Sequence, residues 1–321
     1  VTHLVVVPPE VPREWLARLD QPEAGCEVIV GIDAVPTPRL PEVVGLLSLL
    51  TMPVDLELLV RLPALRVVSN MAVGYDNVVI PACAARGVAL GNTPGVLTDA
   101  TADLTMALLL AAARRIDEAA LDAREGRWHT WTPDGWLGVE LRGTTLGVVG
   151  LGKIGYAVAE RARGFGMQIC YVGRSDHDHP DAAKLGAQRL SFTELLARAD
   201  IVTLHVPLTD ETQGMIDAAA LEQMKPEAIL INTSRGAIVD QDALLAALTT
   251  GRLRGAALDV TSPEPLPPAH PLFAAPGCLI LPHIGSATHT TRRRMAELAC
   301  LNLLAGVRGE PLPHPVALTQ P

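Results

Sequence analysis

The stretch Thr144-Thr-Leu-Gly-Val-Val149-Gly150-Leu151-Gly152-Lys153-Ile154-Gly155-Tyr-Ala-Val-Ala-Glu-Arg-Ala-Arg163 passes from an apolar, strand-like run through a glycine turn into helical spacing. Gly150 permits a tight turn, Gly152 lets backbone amides approach a pyrophosphate at the positive helix end, and Gly155 lets the helix pack close on the strand. Three glycines alone carry little information. Between a strand and a helix they predict a dinucleotide site.

Downstream of this turn, apolar strand-like runs recur at 168–173, 201–206, 228–232, 256–260 and 278–281. Helical segments at 154–163, 192–198 and 242–248 separate most of them, the second opened by a capping-box pattern, Ser191-Phe-Thr-Glu194. Helices interleaved with nearly continuous apolar strands require parallel pairing and right-handed crossovers. The expected product is a doubly wound parallel sheet of Rossmann type. Upstream, shorter runs at 3–7, 27–30, 65–69 and 88–90, with helical spacing at Leu56, Leu59 and Val60, describe a smaller α/β unit. A helix over 98–115, apolar on nearly every face, leads out of that unit, and a helix over 288–305 leads back. The reading is therefore a discontinuous smaller domain, 1–98 with 287–321, and a cofactor domain, 99–286.

Composition agrees with two domains. The chain has 321 residues, 49% of them hydrophobic and only 3% aromatic, so aliphatic side chains must supply the core. The formal charge of −9 and the lack of a basic stripe beyond Arg292-Arg293-Arg294 argue against nucleic acid as a partner. That triplet reads as the solvated first turns of the last helix. Five scattered cysteines, with no C-x-x-C pair, fit a reduced compartment. No apolar run approaches the ~18 residues of a membrane span, and no basic segment leads into an apolar leader at the start, so a cytoplasmic chain is expected.

The tip of the strand after the glycine turn selects the dinucleotide. An NAD site places an acidic residue there to accept from the ribose hydroxyls, whereas this chain has Gly173-Arg174-Ser175. A guanidinium and a hydroxyl suit a 2′-phosphate, so NADP(H) is expected over NAD(H), although Asp176 and Asp178 follow. His177 and His179 lack further ligand spacing and no metal site is expected. The carboxyl ends of the later strands carry Arg235, Glu264 and His283. Arg235 can grip a substrate carboxylate and polarise a carbonyl. His283 can deliver a proton, and Glu264, hydrogen-bonded to it, would fix its tautomer and favour its protonated form. That set would reduce a 2-oxo acid with hydride from a nicotinamide.

The motifs Val73-Gly74-Tyr75-Asp76-Asn77, Asn92-Thr-Pro-Gly95, the glycine turn, His205-Val206-Pro207, Thr233-Ser234-Arg235-Gly, Leu258-Asp259-Val and Pro282-His283-Ile-Gly285-Ser286 occur in order. Together they resemble the D-isomer-specific 2-hydroxyacid dehydrogenases over roughly residues 65 to 310, and within that family the glyoxylate/hydroxypyruvate reductases. The resemblance implies a flavodoxin-like smaller domain and Arg235, Glu264 and His283 as the catalytic set. Backbone amides of Val73 and Gly74 would hold the substrate carboxylate, and Ser286 either touches substrate or caps the final helix. It further implies that Asp259 meets the nicotinamide carboxamide. Thr101, Gly150 to Gly155, Gly173, Arg174, Ser175, His205, Val206, Pro207, Thr212, Thr233, Ser234, Arg235, His283 and Gly285 would line the cofactor. Family members are typically homodimers, and the segment from Trp128 through Trp131 to Trp136 resembles their dimer arm. Phosphoglycerate dehydrogenase is the nearest enzymatic alternative. From a different class, a nucleotide-sensing corepressor shares the scaffold.

Overall fold

The computed structural model describes residues 2–173 and 180–318, which form two compact units: one from residues up to Leu97 together with those from Ala287 on, the other from Thr98 to Ser286. The first unit opens with β1 (His3–Val7), β2 (Cys26–Val30) and β3 (Val43–Ser48), then α1 (Leu56–Arg61), β4 (Val67–Asn70), α2 (Ile80–Ala85) and β5 (Ala89–Gly91). Its five strands pair in parallel in the order β2-β1-β3-β4-β5, the flavodoxin-like order. Apolar clusters cover both faces of this sheet, which is why its strands read as continuous runs without alternation.

The central strand β3 was not among the runs recognised in the sequence. Its Gly45 dilutes the strand signal, and a Cβ there would lie 2.7 Å from Val307 and 2.9 Å from Leu303, so the residue is small to admit a helix.

The second unit contains α3 (Thr98–Ala113), α4 (Ile116–Arg124), β6 (Thr145–Val149), α5 (Lys153–Gly164), β7 (Gln168–Val172), α6 (Ala182–Leu185), β8 (Gln188–Arg189), α7 (Phe192–Arg198), β9 (Ile201–Leu204), α8 (Ala218–Gln223), β10 (Ile229–Asn232), α9 (Gln241–Thr249), β11 (Gly255–Leu258) and β12 (Cys278–Ile280). Its seven parallel strands run β12-β11-β10-β9-β6-β7-β8. Chain order reverses between β6 and β9, which makes their carboxyl ends the switch point of a doubly wound sheet. The capping box of α7 forms as the sequence indicates, Glu194 reaching back to the Ser191 amide at 2.9 Å.

The helix expected over 98–115 stops at Ala113. Arg115 takes a left-handed conformation (φ 51°), turns the chain, and pairs with Glu118 at 2.5 Å on the exposed helix α4. The acids at the start of α3 bind the neighbouring helix: Arg161 of α5 meets Asp103 at 2.7 Å and Asp99 at 3.0 Å. The chain then returns to the first unit through α10 (His289–Arg308). Arg293 and Arg294 lie exposed in its early turns. Its N-cap is Thr288, which accepts from the Thr291 amide at 3.1 Å, so Ser286 does not cap the final helix. Among the described residues, no helix is long and apolar enough to cross a membrane.

Candidate active site

The glycine turn follows β6 at the switch point. Gly150 takes φ +95°, and a Cβ there would meet the His205 carbonyl oxygen at 2.7 Å, so the ends of β6 and β9 close on each other only because that position is bare. A Cβ on Gly155 would lie 2.1 Å from the Gly150 oxygen, which is the close strand–helix approach expected of the third glycine. Gly152 differs: nothing stands within 4 Å of the space its Cβ would fill. It is the N-cap of α5 and provides no side-chain cap, which leaves the first-turn amides without a capping side chain at the positive helix end. The turn thus fits a dinucleotide pyrophosphate.

The ends of β10, β11 and β12 bring the three acid and anchor residues into one unit. His283 Nδ1 lies 2.5 Å from Glu264 Oε1, and the other carboxylate oxygen accepts from the Thr261 amide at 3.3 Å. Burial raises the Glu264 carboxyl, but the His283 hydrogen bond and charge, the Thr261 amide and the charge of Arg235 outweigh it and hold the group below its ordinary range. A Cβ on Gly236 would lie 2.0 Å from the Thr261 backbone, so the residue after Arg235 must be glycine for the Arg235 turn to reach the Glu264 loop. Asn232, buried at the end of β10, shapes that turn by donating to the Arg235 carbonyl at 2.8 Å and accepting from the Ser234 amide at 3.0 Å.

Asp259 holds the histidine loop. His283 sits in the left-handed region (φ 53°), uncommon for a residue with a side chain. Three successive amides keep it there: His283 N–H donates to the Asp259 carbonyl at 2.9 Å, and Ile284 and Gly285 N–H donate to its two carboxylate oxygens at 2.7 Å each. Burial raises the Asp259 carboxyl, and these two amide bonds offset that only in part. This role, like those of Asn232 and Gly236, escaped the sequence reading. The glycine after Arg235 was a visible signal, whereas the bonds of Asp259 depend on a turn 25 residues away.

The other sequence-derived residues fall as follows. Burial pushes the His205 imidazole down to about 3, so it is neutral, with Nε2 2.9 Å from Thr203 Oγ1. Ser234 Oγ donates to the Val206 carbonyl, Thr212 Oγ1 donates to the Pro207 carbonyl at 2.6 Å, and Thr233 Oγ1 lies 3.0 Å from Thr105 Oγ1. The first contact ties the end of β10 to that of β9, the second closes the loop after β9, and the third ties the end of β10 to α3. Buried Thr101 lies beside Gly285, its Oγ1 3.5 Å from where a Cβ would stand. Leu151 is buried, while Gly173 and Ser286 are half-buried. Val73 and Gly74 lie in the first unit, on the loop after β4. Arg174 and Ser175, with Asp176, His177, Asp178 and His179, lie outside the described residues. Trp136 donates from Nε1 to Asp122 Oδ2 at 2.8 Å, on helix α4.

A family model described as D-isomer specific 2-hydroxyacid dehydrogenase, NAD binding domain, matches residues 106–285. The chain belongs to the D-isomer specific 2-hydroxyacid dehydrogenases. It is 45% identical over 320 residues to a glyoxylate reductase of Korarchaeum cryptofilum, covering 97% of this chain and 94% of that one. It is 44% identical over 322 residues to a glyoxylate reductase/hydroxypyruvate reductase of Mus musculus, covering 98% of each. The crystal structure of an NADPH-dependent glyoxylate/hydroxypyruvate reductase from Sinorhizobium meliloti, in complex with NADP and malonate, superposes with a TM-score of 0.87 at 33% identity. That match covers 99% of this chain and 98% of the other. This dehydrogenase is accordingly an oxidoreductase whose larger unit is a nicotinamide-dinucleotide domain.

Proposed function

We propose that this dehydrogenase reduces small 2-oxo acids, glyoxylate and hydroxypyruvate, to glycolate and D-glycerate, with NADPH as the preferred reductant. The observation that carries the reading is the 2.5 Å contact between His283 and Glu264, within the electrostatic reach of Arg235. With Nδ1 committed to the carboxylate, Nε2 is the nitrogen left to give its proton to the carbonyl oxygen as that oxygen gains charge. Arg235 offers the carboxylate and carbonyl of the substrate a fixed cation, and Glu264 supports the imidazolium. A bound nicotinamide supplies the hydride that the carbonyl carbon accepts. In reverse, neutral His283 takes the hydroxyl proton. Val73 and Gly74 hold the substrate carboxylate through their amides.

The choice of substrate rests on the names of the relatives, and the choice of NADPH on Arg174 and Ser175. A cytoplasmic homodimer completes the reading. All five cysteines are free thiols, and α4 with its following segment exposes Ile116, Leu121, Trp128, Trp131 and Leu137. Steady-state kinetics with glyoxylate, hydroxypyruvate, pyruvate and 3-phosphohydroxypyruvate, each with NADH and NADPH, test it. Equal or better efficiency with NADH overturns the cofactor assignment, and a preference for the phosphorylated acid overturns the substrate. Nucleotide binding without turnover points instead to a sensor. Light scattering at several concentrations tests the dimer.

A further inference from the structure

The loop after β4 binds no ion by side-chain charge, since Met71-Ala-Val-Gly-Tyr75 contains no basic residue. Any affinity for a carboxylate must come from its backbone, and backbone groups bind anions only when several N–H groups point the same way. Three consecutive carbonyls of this loop are fixed by donors from the first unit. Thr93 N–H donates to the Ala72 carbonyl at 2.9 Å, Asn92 Nδ2 to the Val73 carbonyl at 2.9 Å, and Asn70 Nδ2 to the Gly74 carbonyl at 2.9 Å. A trans peptide is planar, with its C=O and the following N–H antiparallel. Drawing these carbonyls toward the strand ends therefore turns the amides of Val73, Gly74 and Tyr75 away from them. Among the described residues, none of those three amides makes a hydrogen bond within the chain.

We infer that Asn92 and Asn70 are positioning residues, Asn92 aiming the Gly74 amide and Asn70 the Tyr75 amide, so that with Val73 the loop offers three successive N–H groups to a substrate carboxylate. The inference rests on the reading that Val73 and Gly74 take that carboxylate. Asn70 is well suited to the task, being wholly buried at the end of β4 with its amide plane fixed. Its Oδ1 accepts from Ser48 Oγ at 2.9 Å and from Asn77 Nδ2 at 3.2 Å, while its Nδ2 donates to the Gly74 carbonyl at 2.9 Å and to Asn77 Oδ1 at 3.3 Å. Asn77 is itself anchored on the Met52 carbonyl at 2.9 Å. Each accepted bond also polarises its peptide, strengthening the N–H on the other side as a donor.

The test uses the full-length enzyme and Asn92→Asp, which keeps the shape but sets an acceptor against the Val73 carbonyl; Asn92→Ala serves if that protein does not accumulate. Loss of one aimed donor should raise the KM for glyoxylate and the inhibition constant for oxalate together by about tenfold. The kcat should stay within about threefold and the KM for NADPH should not move, a split that general loosening of the fold would not produce. The amide signals of Val73, Gly74 and Tyr75 in isotope-labelled wild type, titrated with oxalate, supply the second readout. If they respond and Asn92→Asp keeps its affinity for oxalate, the positioning role is refuted while the carboxylate reading stands. If Val73 and Gly74 do not respond in wild type, the carboxylate reading itself fails. A response at those two without one at Tyr75 refutes the part given to Asn70.

Discussion

Glu264→Gln isolates charge from shape at the proton donor. Through its one oxygen glutamine can still accept from His283 Nδ1 at the 2.5 Å contact, at the cost of the longer 3.3 Å bond from the Thr261 amide, which then faces the carboxamide NH2. What disappears is the negative charge that favours the imidazolium. A hydrogen bond to a charged partner contributes about 1.5–3 kcal/mol, against about 0.5–1.5 kcal/mol for a neutral one, so the change removes roughly 1–1.5 kcal/mol from the protonated form. The side chains of His283 and Glu264 are 23% and 30% exposed, and this partial solvation favours the lower end. The pH–rate profile for glyoxylate reduction should therefore move toward acid. Turnover at neutral pH should fall about tenfold or less and recover on acidification. The assay follows nicotinamide absorbance across pH, with NADPH affinity as a control that should not change. A profile that keeps its position would show that Glu264 does not act through its charge on His283. Stability gives an independent check of sign. The Glu264 carboxyl is held below its ordinary 4.5, so its contribution is present above that pH and is lost as pH falls through the lowered value. Wild type should therefore melt above Glu264→Gln at pH 7, and the gap should narrow as pH falls below 4.5.

Three further outcomes are expected. His283→Ala should lower kcat by about 100-fold or more while the NADPH dissociation constant from fluorescence titration stays within about twofold, because proton delivery and pyrophosphate binding use separate elements; parallel loss of both marks a structural histidine. Arg174→Ala should raise the KM for NADPH but not for NADH, and an unchanged ratio of the two efficiencies counts against a phosphate-binding role. Asp259→Asn leaves one carboxamide oxygen for two amides that each have a 2.7 Å partner. It should reduce thermal stability by about 1–3 kcal/mol and kcat with it; a variant with normal stability and turnover would show that the His283 turn holds without both bonds.

The fold class was legible because its decisive features are local. The glycine turn, the capping box at Ser191 and the apolar runs of both parallel sheets each require only a short window of sequence. The strand at 43–48 was not legible, since Gly45 answers to Leu303 and Val307 rather than to its neighbours in sequence. The end of α3 was misplaced for a related reason: Arg114 and Arg115 suit the negative end of a helix, but the chain turns left-handed at Arg115. At the candidate site, the chemistry-bearing side chains could be named from strand ends, and the structure places His283 on Glu264. The residues that shape their backbones could not, because a buried Asn or Asp at a strand end looks alike whether it meets solvent, ligand or a carbonyl.

That division has a physical basis in how the two kinds of residue act. Arg235, Glu264 and His283 work through charge and proton transfer, which are properties of residue type and survive without coordinates. Asn232, Asp259, Asn70 and Asn92 work by fixing which way a peptide plane faces, and each does so at the carboxyl end of a parallel strand, where ladder bonding stops. Backbone groups there must find partners other than the next strand, so a side chain with short reach and hydrogen-bonding atoms settles their direction. In both units the same device recurs, an amide or carboxylate tying down loop carbonyls or amides. Precision at the strand ends therefore comes from short polar side chains, and reactivity from the long charged ones that they leave in place.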